Sequence, residues 1–138
     1  MYPPELVKPM RAELAQNGFT ELKTADAVDQ AMQDSAGTTL VVVNSVCGCA
    51  AGAARPGVLH AVQNAAKLPN NLTTVFAGVD REATAKARSY MLPYPPSSPA
   101  IALFKDGNLV HFIERRHIEG RSAQMIADNL QMAFDEYC

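Results

Sequence analysis

The chain is short of cysteine, of net charge and of long apolar runs, and each shortage closes off a class of protein. Three cysteines in 138 residues are too few, and odd in number, for a disulfide-stapled secreted scaffold. Twelve Lys and Arg against fourteen Asp and Glu, a formal net charge of -2, leave no electrostatic footprint for nucleic acid. No apolar stretch is long enough to span a bilayer. The opening MYPPELVKPMRAEL also breaks with proline and charge where a secretory leader needs a continuous apolar core. There is no Gly-rich phosphate loop with its lysine, no Ser/His/Asp motif context, no repeat and no low-complexity tract. What remains, 48% hydrophobic and 19% charged, is an ordinary globular composition. The expectation is one cytoplasmic domain over residues 1–138, with small or mildly acidic partners and neither nucleic acid nor membrane.

Periodicity places the elements. Leu6, Met10 and Leu14 recur at helical spacing between Pro4 and Gln16, with Pro9 as a possible kink and Asn17–Gly18 as a stop. A short strand over 19–22 precedes a helix that Thr24 caps and that carries Val28, Ala31 and Met32 on one face. Thr38 to Asn44 is β-branched and uncharged, the signature of a strand buried on both sides. Residues 48–67 read as a helix bent by Pro56, and 73–79 as a second buried strand. An alanine-rich helix over 81–91 is next, ahead of a proline loop at 92–99. Ala100–Phe104 and Asn108–Ile113 flank an Asp106–Gly107 turn, a hairpin signal, and an amphipathic helix runs from about Arg121 to the end. The pattern predicts an α/β fold with a mixed central sheet covered by helices on both faces.

Two of the cysteines stand one glycine apart, in VNSVCGCAAG, immediately after the buried strand and at the start of a helix. Free backbone N–H groups and the positive end of a helix stabilise a thiolate there, and thiolate is the reactive form of cysteine. Cys47 is therefore read as the nucleophile. Cys49, expected to be less accessible, is placed to attack a mixed disulfide formed at Cys47, with Gly48 allowing a tight backbone between them. A disulfide closing so small a ring departs from relaxed geometry and is easily reduced, so the pair suits exchange better than stapling. The one-residue spacer differs from the more usual Cys-X-X-Cys.

The cysteine motif between strand and helix, together with Ser97–Ser98–Pro99–Ala100 before the hairpin, resembles a thioredoxin-like fold of order β-α-β-α-β-β-α. More narrowly, VNSVCGCAAG, Ala54–Arg55–Pro56–Gly57, the IEGR at 118–121 and the terminal FDEYC resemble the bacilliredoxins over essentially the whole chain. The resemblance implies an enzyme that removes bacillithiol from S-bacillithiolated cytosolic proteins. Cys47 takes the bacillithiol by exchange and Cys49 is the second motif cysteine. Pro99 is the cis-proline, the one residue type before which a cis bond is cheap, and with Ser98 it shapes the substrate groove. Bacillithiol serves as thiol co-substrate, with no metal or organic cofactor.

Other readings stand beside this one. Members of the family have also been regarded as weak disulfide isomerases, so a general protein disulfide isomerase or reductase remains open. So does a Zn or Cu site built from the pair with Cys138, His60, His111 or His117, although no second cysteine pair or paired-histidine spacing is present. Cys138 is read as a mobile terminal thiol, with resolution of a mixed disulfide or a link between two subunits as the sharper alternative. Because bacillithiol carries carboxylates and arginine forks match them, Arg55 is the candidate for binding it, with Arg116 and Arg121 weaker and His117, beside Arg115 and Arg116, a possible lining residue. Tyr94, Pro95 and Pro96 could form an apolar lip beside Pro99.

Overall fold

The computed structural model describes residues 2–34 and 36–138. Its strands are β1 (Thr20–Glu21), β2 (Thr38–Asn44), β3 (Asn71–Phe76), β4 (Ala100–Lys105) and β5 (Asn108–Ile113). Its α-helices are α1 (Pro4–Ala15), α2 (Ala25–Asp34), α3 (Arg55–Asn64), α4 (Arg81–Ser89) and α5 (Ala123–Tyr137). The sheet order is β1-β3-β2-β4-β5. β1, β3 and β2 are parallel, and β4 and β5 are antiparallel to their neighbours.

β2 organises the molecule. All seven of its residues are buried, and because side chains alternate along a strand they feed two cores. Leu40 and Val42 join Ile101, Leu103 and Ile113 under α1, α3 and α5. Val41 and Val43 join Val75, Ala100, Ala102 and Phe104 under α2 and α4. The mixed sheet covered on both faces is thus as expected. Buried hydroxyls on β3 are satisfied across the strand pair: Thr73 Oγ1 donates to the Leu40 carbonyl and Thr74 Oγ1 to that of Val42, both at 2.8 Å.

Several local expectations hold. Thr24 Oγ1 accepts from the Ala27 N–H at 3.1 Å; a second cap, not anticipated, forms at α5, where Ser122 Oγ accepts from the Met125 N–H. The β4–β5 connection is a two-residue turn in which Asp106 and Gly107 both have positive φ, 50° and 81°, as a twisted hairpin requires.

Others differ. The inner face of α1 is Val7 and Leu14, while Leu6 is exposed. Pro9 lies within the helix on the exposed side. The helix expected from Gly48 starts there but contains a π-helical stretch, Ala50–Ala54, ahead of α3. In it the Arg55 N–H reaches back to the Ala50 carbonyl. Pro56 follows this widened turn in the first turn of α3, where its missing N–H costs least. A short 3₁₀ turn, Arg115–His117, was not foreseen. No described helix is long and apolar enough to cross a membrane.

α3 and α5 lie side by side. Gly57 is buried at their contact, and a Cβ built there would come within 2.7 Å of Ile126 Cβ and 3.0 Å of the Ala123 carbonyl oxygen. Gly57→Ala is expected to cost about 1–3 kcal/mol by forcing the helices apart, read as a lower urea midpoint with an unchanged slope. An unaltered midpoint would show that this contact is not tight.

Candidate functional site

Three adjacent strands end at one place. β2 and β4 pair with Val43 opposite Ala100, so the residues after Asn44 run beside those before Ala100. β4 and β5 pair with Ile101 opposite Ile113, so the residues after Ile113 come to the same edge. The register therefore gathers the Cys47–Cys49 loop, the Ser97–Ser98–Pro99 segment and Arg115 at the C-terminal end of β2. The Ser98–Pro99 bond is cis, as the resemblance implied, and Leu92–Pro93 is cis as well.

Cys47 and Cys49 are both free and half-buried, with their sulfurs 2.8 Å apart. The Cys47 carbonyl accepts from the Ala50 and Ala51 N–H groups at 3.1 and 3.2 Å, and the Cys47 N–H donates to Ser45 Oγ at 3.3 Å. Cys49 packs against the core under α3 and α5. Gly48 and Gly52 are exposed, neither has positive φ, and a Cβ at either would meet nothing within 4 Å. Gly48 is therefore not required for a tight turn; it leaves the approach to the sulfurs bare.

The two thiols lean in opposite directions. Burial pushes the Cys47 thiol up, but the Cys49 thiol, the Ser45 hydroxyl, the Ala50 N–H and the charge of Arg115 together hold it below the ordinary cysteine range. Cys49 is held above that range, by burial first and then by its hydrogen bond to Cys47 and the charge of that thiolate; Glu119 adds to the rise and Arg115 opposes it. The expected thiolate at position 47 thus draws on one helical amide and on several groups outside the helix.

Arg55 is not where its proposed role needs it. The residue is 1% exposed. Its Nη1 donates to the Ser45 carbonyl at 2.7 Å and to Asn44 Oδ1 at 2.9 Å, and its Nε donates to Glu13 Oε2 at 2.9 Å. Asn44 Oδ1 also accepts from the Ser45 N–H. Arg55 therefore braces the loop that carries Cys47 from beneath instead of meeting a ligand. The expectation failed because a polar residue following small ones reads as surface, and no local pattern shows that Asn44, Ser45 and Glu13 converge on it. Arg116 is exposed and paired with Glu114, while His117 and Arg121 are exposed.

The arginine at the site is Arg115. Its N–H donates to Ser97 Oγ at 2.7 Å, its Nη1 to the Ser98 carbonyl at 3.2 Å and its Nε to Glu119 Oε1 at 2.7 Å. Position in sequence gave no sign of this; the pairing of β5 with β4 creates it.

Cys138 is distant from the pair. α5 runs alongside α3, with Ile126 beside Gly57 and the Asp135 carbonyl beside Lys67 Nζ, so the terminus lies at the end of α3 away from Cys47. His111 bonds Asn129 and His60 bonds Asn64. Among the described residues no group of three or more His, Cys, Asp or Glu is gathered to hold a metal. Tyr94 packs its ring on Phe112 at 4.7 Å, and Pro95 and Pro96 are exposed. A groove of about 700 Å³ lined by Gly18, Thr20, Asn70 and Asn71 lies at the opposite end of the parallel strands. The cysteines form an open surface site.

An open dithiol at the end of a central strand, beside a cis-proline, defines a thiol–disulfide oxidoreductase of thioredoxin-like fold. Solved structures agree on the fold. A mutant thioredoxin from Halobacterium salinarum matches with a TM-score of 0.59 at 16% identity, covering 88% of this chain and 91% of that one. Mitochondrial thioredoxin 3 from Saccharomyces cerevisiae matches with a TM-score of 0.58 at 14% identity, covering 90% and 98%. A family described as disulphide isomerase matches residues 2–138. A bacilliredoxin of Cytophaga hutchinsonii is 66% identical over 99% of both chains, and one of Geobacillus kaustophilus is 54% identical over 99% of this chain and 94% of that relative. The chain belongs to the bacilliredoxin family.

Two outcomes check this geometry. The rate of iodoacetamide alkylation at Cys47, followed against pH by peptide mapping, is expected to rise with a midpoint below that of an ordinary cysteine, because a lowered pKa supplies thiolate at lower pH. Alkylation of Cys49 is expected to titrate later. Arg55→Met removes hydrogen bonds to two interior oxygens and is expected to cost about 1–3 kcal/mol in urea unfolding. The half-exposed Glu13 adds little to that loss. Full stability in Arg55→Met protein would contradict the bracing role.

Proposed function

We propose that the chain removes bacillithiol from S-bacillithiolated proteins in the cytoplasm. The observation that carries this reading is the division between the sulfurs: 2.8 Å apart, one held toward thiolate and the other toward thiol. The Cys47 thiolate attacks the bacillithiol sulfur of the mixed disulfide. A bond forms between that sulfur and Cys47 Sγ, the old disulfide breaks, and the target cysteine leaves as a thiolate that takes a proton from water.

The second step follows from the first. While Cys47 is anionic, its hydrogen bond and its charge raise Cys49. Once Cys47 is part of a neutral disulfide, both influences vanish and Cys49 loses its proton more readily. Its thiolate attacks Cys47 Sγ, bacillithiol departs as a thiolate, and a Cys47–Cys49 disulfide remains. A second bacillithiol can instead attack the bacillithiol-bearing disulfide, releasing Cys47 and oxidised bacillithiol. Electrons come from thiols throughout, so the exchange calls on no metal or organic cofactor. Pro99 and Ser98 shape the surface against which the disulfide lies.

A second reading, general isomerisation or reduction of protein disulfides, is favoured by the description of the matching family and by the open approach past Gly48 and Gly52. Incubation with a bacillithiolated protein followed by mass spectrometry separates the two. Wild type is expected to release the target and pass through a bacillithiol adduct at Cys47. Cys49→Ala should accumulate that adduct when free bacillithiol is withheld, and Cys47→Ala should form none. Equal adduct formation in Cys47→Ala would refute the mechanism, and rearrangement of scrambled disulfides with no release of bacillithiol from the modified target would favour the isomerase.

A further inference from the structure

We infer that Arg115 is a specificity residue that receives a carboxylate on the small thiol half of the mixed disulfide. The inference rests on the exchange reading above and adds the residue that recognises the small thiol. Its basis is placement. The main chain of Arg115 is clipped to Ser97 Oγ at 2.7 Å. One guanidinium nitrogen, Nη1, is tied to the carbonyl of Ser98 at 3.2 Å, and Nε is tied to Glu119 at 2.7 Å. The side chain is 46% exposed.

An exposed arginine paired to a glutamate four residues on is usually a solvated surface pair of little energetic worth. Arg115 differs in three ways. It is held at two further points on the cis-proline segment, so its fork is oriented before any ligand arrives, which lowers the ordering cost of binding. Its charge reaches both sulfurs. The other candidates do not share this position: Arg55 is buried under the loop, and Arg116 is paired with Glu114 in solvent. In the exchange step Cys47 bonds to the sulfur of the small thiol, so that half of the substrate, and not the target protein, comes to rest beside Arg115. A carboxylate a few bonds from that sulfur then meets a half-exposed, positively charged guanidinium. Glu119 opposes it by charge while holding the fork in place.

Iodoacetate and iodoacetamide test this, since they differ in a carboxylate against a neutral amide. Each reacts by the same displacement: the Cys47 sulfur bonds to the reagent carbon and iodide leaves. Both consume the same thiolate, so the ratio of their rates at Cys47, read by peptide mapping, cancels any change in ionisation. Arg115→Gln is expected to lower the iodoacetate-to-iodoacetamide ratio about threefold to tenfold, the size of one partly screened charge pair. Arg115→Lys should retain part of the preference, and Glu119→Gln, which keeps an acceptor but removes the opposing charge, should raise it. Arg116→Gln should leave it unchanged. An unchanged ratio in Arg115→Gln, or an equal fall in Arg116→Gln, would overturn the assignment. A Cys47 that reacts slowly with both reagents would count against the exchange chemistry while still yielding a ratio that tests Arg115.

Discussion

A guanidinium placed inside a protein has to be met by oxygen atoms in fixed positions, and the site depends on how this requirement is met at Arg55. The side chain is 2% exposed, its charge is permanent, and an unmatched cation there would be strongly destabilising. Asn44 at the end of β2, the carbonyl of Ser45 and Glu13 on α1 supply the oxygens. Two segments distant in sequence, α1 and the end of β2, are thereby tied to the first turn of α3. The Cys47 loop leaves β2 between two of these anchors and the helix. Its amides and the Ser45 hydroxyl are consequently held where they can act on sulfur, with no need for the substrate to organise them.

On that scaffold, two chemically identical side chains acquire different roles from small differences in surroundings. Cys47 meets hydroxyl, amide and thiol donors and the field of Arg115, which together outweigh its partial burial. Cys49 packs on the core and sits beside the charge that Cys47 carries. Because part of what keeps Cys49 protonated is the state of Cys47, the proposed exchange has a built-in order: the inner thiol becomes available when the outer one has reacted. An exposed surface location adds the remaining requirement, access for a disulfide attached to a folded protein.

The sequence is most readable where a signal is local. Thr38–Asn44 could only be a doubly buried strand, Asp106–Gly107 could only be a tight turn, and Thr24 caps α2 because a cap involves its own next turn. The cysteine pair was legible for the same reason, as a motif at a strand-to-helix junction. Where a helix carries apolar residues on more than one side, as α1 does with Leu6 and Val7, periodicity does not say which side will find a partner, and Val7 was chosen by what lay beneath it. The π-helical turn before Pro56 was hidden as well, since proline announces a lost donor but not how the preceding turn adjusts.

The two arginines mark the boundary most clearly. The residues in order pointed to an α/β sheet, to a cysteine pair at 47 and 49 placed for thiol chemistry and, through the family resemblance, to a cis-proline segment ahead of the hairpin, since each depends on near neighbours or on a motif. Whether Arg55 or Arg115 would stand at the sulfurs was left to strand register. Pairing of β2, β4 and β5 brings positions 47, 98 and 115 to one edge, while packing of α3 against α1 draws position 55 inward. Long-range pairing sets such distances, and no stretch of the chain read by itself contains them.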